Sequence, residues 1–346
     1  MVTQTRLQNL GLVISAVLAM AALLGSIGSS PIEAAGRTYT LPRYEPGSYG
    51  VVYMYPYAPS EWDPGDMNAM TTTLQIAKNM GLDTIIQPFP AALIGTPNEG
   101  NWLNLLDAAS EVGVQIVAYL WPYDAYTGDP DNPFDYSGIE AFISVIRNHP
   151  ALKGYIGLHE PLEPARGISA DELRGFYTHM KPLAPNAKIA HYMANIAYWE
   201  ANRTDGWAFS DGMCDMCIVW YFPFRMQNGN PVYEQDLVPP VVQQNLALVA
   251  ARDPDAELWF MGQTFAQAAH PRNLRMPTAD EMRQLYLLVM QEPVDGFVWY
   301  PWQQTDVYDE ILADPGNEQQ QQQVVYVADH YVHLKKAYMP LMSSNK

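Results

Sequence analysis

The stretch Gly154-Tyr-Ile-Gly-Leu-His-Glu-Pro161 decides how this chain is read. Residues 154–159 are mostly aliphatic or aromatic, form a short run, and predict a buried strand. The run ends on a carboxylate, Glu160, and then on Pro161, whose ring fixes the turn. A carboxylate there is held rigidly at the end of a strand. Apolar neighbours such as Leu158 and nearby rings are expected to raise its pKa, as a general acid near neutral pH requires. A structural Glu bonded to loop amides is the plainer alternative.

Seven runs of the same kind lie around it. The expected strands are Gly50–Tyr57, Thr84–Pro88, Gln115–Leu120, Gly154–His159, Lys188–Met193, Met216–Tyr221, Glu257–Gly262 and Gly296–Tyr300. They recur at the spacing of βα units. Helix signals fill the gaps. Asp66–Met80 ends at Gly81 and Asn101–Val112 ends at Gly113, both plausible C-caps. Ser169 with Glu172, and Thr278 with Glu281, are capping boxes. Eight alternating strands and helices predict an α/β chain folded as a single (β/α)8 TIM barrel over residues 36–346. An open doubly wound sheet is the alternative, but no Gly-rich phosphate loop follows the first strand. Asn317–Gln323 reads as a Gln-rich low-complexity loop, and Val324–Tyr338 as the last helix.

The chain has 346 residues, 48% of them hydrophobic, enough for a large core. The net charge of −18 argues against nucleic acid and anionic membrane surfaces as partners, because phosphate binding needs clustered Lys and Arg. Residues 1–35 resemble a signal peptide or N-terminal membrane anchor: Arg6, then an apolar run from Leu10 to Gly25, then small residues. Both readings place the barrel outside the cytosol, secreted or membrane-anchored through that segment alone. Cys214 and Cys217 are the only cysteines, and a local disulfide is the plain reading.

In a (β/α)8 barrel, function sits at the C-terminal ends of the strands. The residues so placed are Tyr53 and Tyr55, Gln87, Trp121, His159, His191 and Tyr192, Trp220 and Tyr221, Gln263, and Trp299 and Trp302. Rings and neutral hydrogen-bonding groups dominate this set. It suits a neutral sugar, whose apolar faces stack on flat rings, and the expected partner is a carbohydrate. Each ring taken singly can equally just close the barrel top. No H-x-x-x-H pattern or carboxylate run suggests a metal, and no cofactor is expected. No G-x-S-x-G elbow is present.

His159-Glu160-Pro161 resembles the Asn-Glu-Pro motif, or its Asp-Glu-Pro variant, of (β/α)8 glycoside hydrolases whose acid/base follows strand four. His149–Tyr155, Pro277–Arg283 and Asp295–Tyr300 resemble the surrounding helix and strand approaches of the same enzymes. The resemblance implies Glu160 as acid/base. It also implies a nucleophilic Glu at the end of strand seven, where this chain has Gln263. Other carboxylates are therefore needed for a two-carboxylate reaction. Asp124, after strand three, and Asp306, after strand eight, are the leading candidates, ahead of Glu61, Asp63 and Glu163. The expectation is an extracytoplasmic glycoside hydrolase acting on a carbohydrate, with a catalytically inactive carbohydrate-binding or cell-surface barrel as the alternative.

Overall fold

Apolar side chains alternate along the described barrel strands, and that alternation builds two main cores. The computed structural model describes residues 51–53, parts of 71–82, 84–300 except 122 and 130, 310–311 and 316–324. All of these fall in the unit Leu41–Lys346. In chain order the strands are β1 (Val51–Tyr53), β2 (Thr84–Pro90), β3 (Gln115–Trp121), β4 (Leu152–His159), β5 (Lys188–Ala194), β6 (Met216–Trp220), β7 (Phe224–Gln227), β8 (Asn230–Tyr233), β9 (Glu257–Gln263), β10 (Phe265–Ala266), β11 (Gly296–Tyr300) and β12 (Glu310–Ile311). The order β1-β11-β9-β6-β5-β4-β3-β2 closes into a barrel, with every neighbouring pair parallel. The chain is a (β/α)8 barrel, and the open-sheet alternative is excluded.

One core fills the barrel itself: Ile86, Val117, Tyr119, Ile156, Ala190, Tyr192, Met216, Ile218, Trp259, Met261 and Val298. The residues between these along each strand point the other way. They pack under the helices α1 (Asn101–Val112), α2 (Ser137–Ile146), α3 (Ala170–Met180), α4 (Ile196–Asn202), α5 (Val238–Arg252) and α6 (Ala279–Val289). This period-two sorting follows from the pleat.

The helix boundaries have the expected chemistry. α1 spans the expected residues and ends on Gly113 at φ 80°, a left-handed cap that a Cβ would strain. Ser169 and Thr278 both form complete capping boxes with Glu172 and Glu281. Described helical residues between 71 and 79 fall inside the expected helix Asp66–Met80. One expectation is corrected: residues 318–324 are helical rather than a loop. Gln and Glu are good helix formers, so a Gln-rich run does not by itself mean irregular chain.

Two small additions decorate the barrel. β7 and β8 form an antiparallel hairpin after β6, turning at Asn228 and Gly229, both with positive φ. β10 pairs with β12. Cys214 and Cys217 are joined by a disulfide at the entry of β6, the end away from the functional face. The entry face also carries the Lys188–Glu257 ion pair and Lys153, whose ammonium lies 4.7 Å from the Trp259 ring centre. No described helix is long and apolar enough to cross a membrane. The N-terminal segment 1–35 lies outside the described residues.

Candidate active site

A bulge in β4 aims the site. Tyr155 packs outward and Ile156 inward, but the register with β5 shifts between Ile156 and Leu158. The extra residue is Gly157. After it Leu158 faces the helices and His159 turns toward the barrel mouth, as bulges commonly re-aim side chains beside active sites. Only a glycine fits there. A Cβ on Gly157 would lie 2.7 Å from Cε1 of His191 and 2.8 Å from the Phe176 ring.

Glu160 follows with φ 50°. A side chain is unusual in this region, and more so just before a proline, which disfavours helical conformations at the preceding residue. The backbone is held on both sides. Glu160 N donates to Tyr192 O at 3.0 Å, and Glu163 N donates to Glu160 O at 3.2 Å. The Glu160 side chain is 31% exposed. Burial, reinforced by the Glu163 charge and opposed by Arg166, pushes its pKa up to about 7.

His159 stands beside it. Its Nε2 is 3.9 Å from Glu160 Oε2, and its Nδ1 is 3.0 Å from the Tyr119 hydroxyl. Burial, and then Arg166, hold the imidazole down at about 4 against an opposing pull from Asp124. Tyr119 rises from the barrel interior on β3. Burial, then Asp124, push its phenol well above the usual tyrosine range, so it keeps its proton.

Asp124 sits in the loop after β3 and is ion-paired with Arg166, in the turn Pro164–Arg166 after β4. Its Oδ1 also accepts from Tyr126 N at 3.1 Å. Both oxygens of this carboxylate therefore have donors. Asp124 follows β3 and Glu160 follows β4, and these strands are parallel neighbours, so the two acids lie at the same end of the barrel.

A run of rings continues around the mouth. Tyr192 meets Tyr119 at 5.8 Å, His159 at 5.2 Å and Trp220 at 6.2 Å between centres. Trp220 and Phe222 are nearly parallel, at 18° and 6.2 Å. Phe222 leads to Phe265, and Phe265 to Tyr300. Trp220, Phe222 and Tyr300 are half-buried.

Three expected contact residues point away from this mouth, and a fourth is fully bonded. Gln87 is in phase with Ile85 and Phe89, is buried, and donates to Pro88 O at 2.9 Å. His191 is fully buried behind β5, where its Nδ1 accepts from Leu158 N at 2.9 Å. Trp299 is buried among the outer-layer rings, 4.6 Å from Phe297. Each lies one residue out of phase with an inward-facing neighbour. Gln263 differs: it is in phase with Trp259 and Met261 but wholly occupied. Its Nε2 reaches Phe224 O at 3.1 Å, Phe265 O at 3.0 Å and Arg275 O at 2.8 Å, while its Oε1 accepts from Phe224 N at 3.2 Å. A carboxylate could not donate any of these bonds. The amide at this position ties β9 to the hairpin.

Tyr221 belongs to a polar cluster on that hairpin. Its hydroxyl donates to Glu234 at 2.6 Å, and Arg225 and Arg272 both pair with the same carboxylate. Tyr53 and Trp121 end β1 and β3. Tyr55, Trp302 and Asp306 lie outside the described residues. Among the described residues, no group of three His, Cys, Asp or Glu side chains could hold a metal ion.

Sequence reasoning missed Tyr119, Arg166 and Phe222. Alternation along β3 would have found Tyr119, two residues beyond inward-facing Val117. The Asn228-Gly229 dipeptide between two strand-like runs was the signal for the hairpin.

The sequence matches no protein-family model and no curated protein. Solved structures, in contrast, share its fold. A GH5_18 protein from Bifidobacterium longum subsp. longum, in complex with Manβ1-4GlcNAc, superposes with TM-score 0.60 at 12% identity, over 82% of this chain and 78% of its own. An exo-β-1,4-mannosidase from an Opitutaceae bacterium superposes with TM-score 0.59 at 15% identity, over 82% of this chain and 59% of its own. A GH99 endo-α-mannosidase from Bacteroides thetaiotaomicron gives 0.56 at 8% identity, over 83% and 98%. At these identities the likeness is one of fold, and the fold of this chain is that of the (β/α)8 glycoside hydrolases.

Proposed function

We propose that the chain is an extracytoplasmic glycoside hydrolase in which Glu160 is the general acid/base. One observation carries this reading. At the C-terminal end of β4, a half-buried carboxyl is held in a constrained backbone, with its pKa raised by burial to about 7. Such a group is protonated often enough at neutral pH to give its proton to a leaving oxygen. The half-buried rings Trp220, Phe222 and Tyr300, backed by the buried Tyr192, offer faces on which sugar rings stack. The fully bonded Gln263 has no part in the chemistry. Asp124 is the described candidate for the second carboxylate. Asp306 is the other.

The extracytoplasmic placement rests on the apolar segment Leu10–Gly25, and the Cys214–Cys217 disulfide suits an oxidising compartment. Two of the structural neighbours are described as mannosidases, which makes manno-oligosaccharides the first substrates to try, followed by neutral polysaccharides and aryl glycosides. Turnover by the parent that Glu160→Gln abolishes supports the proposal. Binding without turnover by either protein supports the second reading, a carbohydrate-binding barrel without activity. Two observations support that second reading: Gln263 stands about where the resemblance implies a nucleophilic Glu, and Arg166 is ion-paired with Asp124.

A further inference from the structure

The ring proton of His159 can sit on either nitrogen, and the choice bears on Glu160. The ring lies between a phenol and a carboxyl, with Nδ1 3.0 Å from Tyr119 Oη and Nε2 3.9 Å from Glu160 Oε2. Tyr192 packs edge-on against it at 5.2 Å. The ring is neutral at neutral pH, because burial and Arg166 disfavour its charged form. A neutral imidazole donates from one nitrogen and accepts at the other, and its partners decide which. The Tyr119 phenol keeps its proton, so the 3.0 Å contact with Nδ1 is one in which the hydroxyl can donate. A phenol that donates to Nδ1 leaves the ring proton on Nε2, the nitrogen on the Glu160 side.

We propose that Tyr119 and His159 form a positioning dyad for Glu160, in which the phenol donates to Nδ1 and the Nε2–H is aimed at Oε2 of the carboxyl. This rests on the reading of Glu160 as the acid. A separation of 3.9 Å is too long for a direct hydrogen bond, but a side-chain rotation or one bridging water closes it. The dyad sorts the two carboxyl oxygens. Oε2 becomes the acceptor, so the acidic proton resides on Oε1, the oxygen left to face a leaving group. Once that proton has gone to the leaving oxygen, the N–H remains to stabilise the carboxylate. The neutral ring adds a dipole and no charge, so it lowers the proton affinity of Glu160 far less than a charged imidazolium would. The other charged groups nearby are Glu163, which is exposed, and the Asp124–Arg166 pair.

Histidine-selective 15N labelling of the full-length chain tests this by long-range proton–nitrogen spectra, with the His159 signal assigned by its loss in His159→Gln. The expected result is a neutral ring with its proton on Nε2 between roughly pH 5.5 and 8. In Tyr119→Phe the proton should move to Nδ1 or divide between the two nitrogens. A parent ring protonated on Nδ1, or one that titrates near 6.5, overturns the proposal. A second readout is the Glu160 carboxyl titration followed by 13C signals. His159→Leu should tighten proton binding to Glu160 by roughly fivefold, while His159→Gln, which retains an N–H donor, should change it by less than about twofold. Equal shifts in the two variants also overturn it. Neither readout needs turnover, so an inactive barrel with an intact dyad is distinguished from an active one without it.

Discussion

Gln263 and Phe224 bond to each other in both directions: the amide oxygen accepts from Phe224 N at 3.2 Å, and the amide nitrogen donates to Phe224 O at 3.1 Å. The same nitrogen reaches the carbonyls of Phe265 and Arg275. Gln263→Glu therefore should not install a nucleophile. It would place a carboxylate against three carbonyls in a buried site, at a cost of about 3 kcal/mol or more. Chemical denaturation should show a large fall in midpoint, and no glycosyl transfer should appear.

If Glu160 is the acid, it must be protonated to act. Its pKa of about 7 predicts a kcat/KM that falls as pH rises through neutrality. Glu163 helps to raise that value, so Glu163→Gln should move the falling limb to lower pH, and the pH–rate profile checks the direction. A limb that stays put would remove Glu163 from the account.

His191 gives a stability test. Its pKa is about 4 in the folded chain because burial excludes the charged ring, against an ordinary value near 6.5. The unfolded chain binds the proton first as pH falls. His191 therefore favours folding fully above about pH 6.5, and that contribution is lost progressively as pH drops toward 4. The loss is on the order of 3 kcal/mol at most. Denaturation midpoints across this range should fall in the parent and fall less steeply in His191→Gln.

Gly157→Ala should destabilise the chain by about 1–3 kcal/mol, because its Cβ would collide with His191 and Phe176. Since Gly157 is the bulge that turns His159 inward, the variant should also lose more activity than its fall in stability explains. Comparing residual turnover with the folded fraction at one temperature separates the two effects.

The two tryptophans should behave differently. Trp299 is buried against Phe297, so Trp299→Ala should cost about 3–5 kcal/mol of stability. Trp220 is half-buried at the mouth, and Trp220→Ala should instead weaken sugar binding by roughly tenfold, read as a higher KM or Kd with a nearly unchanged melting temperature.

Most of the barrel was legible because a strand needs only a short apolar run and a helix only a face and caps. The expected and observed strands at Gly296–Tyr300 coincide, and both capping boxes formed as read. The site was less legible. A strand end presents consecutive residues to opposite sides, so Gln87, His191 and Trp299 were grouped with Trp220 and Tyr192 although the pleat sends them under the helices. The bulge at Gly157 inverts that phase within β4, and a bulge depends on packing against β5, not on local spacing. Arg166 escaped notice for a similar reason. Its partner Asp124 is 42 residues away in the chain and meets it only after the barrel has closed.

Glu160 occupies a conformation that glycine and asparagine enter far more readily. A chain selected for thermal endurance alone would not keep a half-buried acid there. Glu160→Gly should melt later than the parent, by the few degrees that about 1 kcal/mol represents. That gain would show a folding tension at a residue on which turnover is proposed to depend.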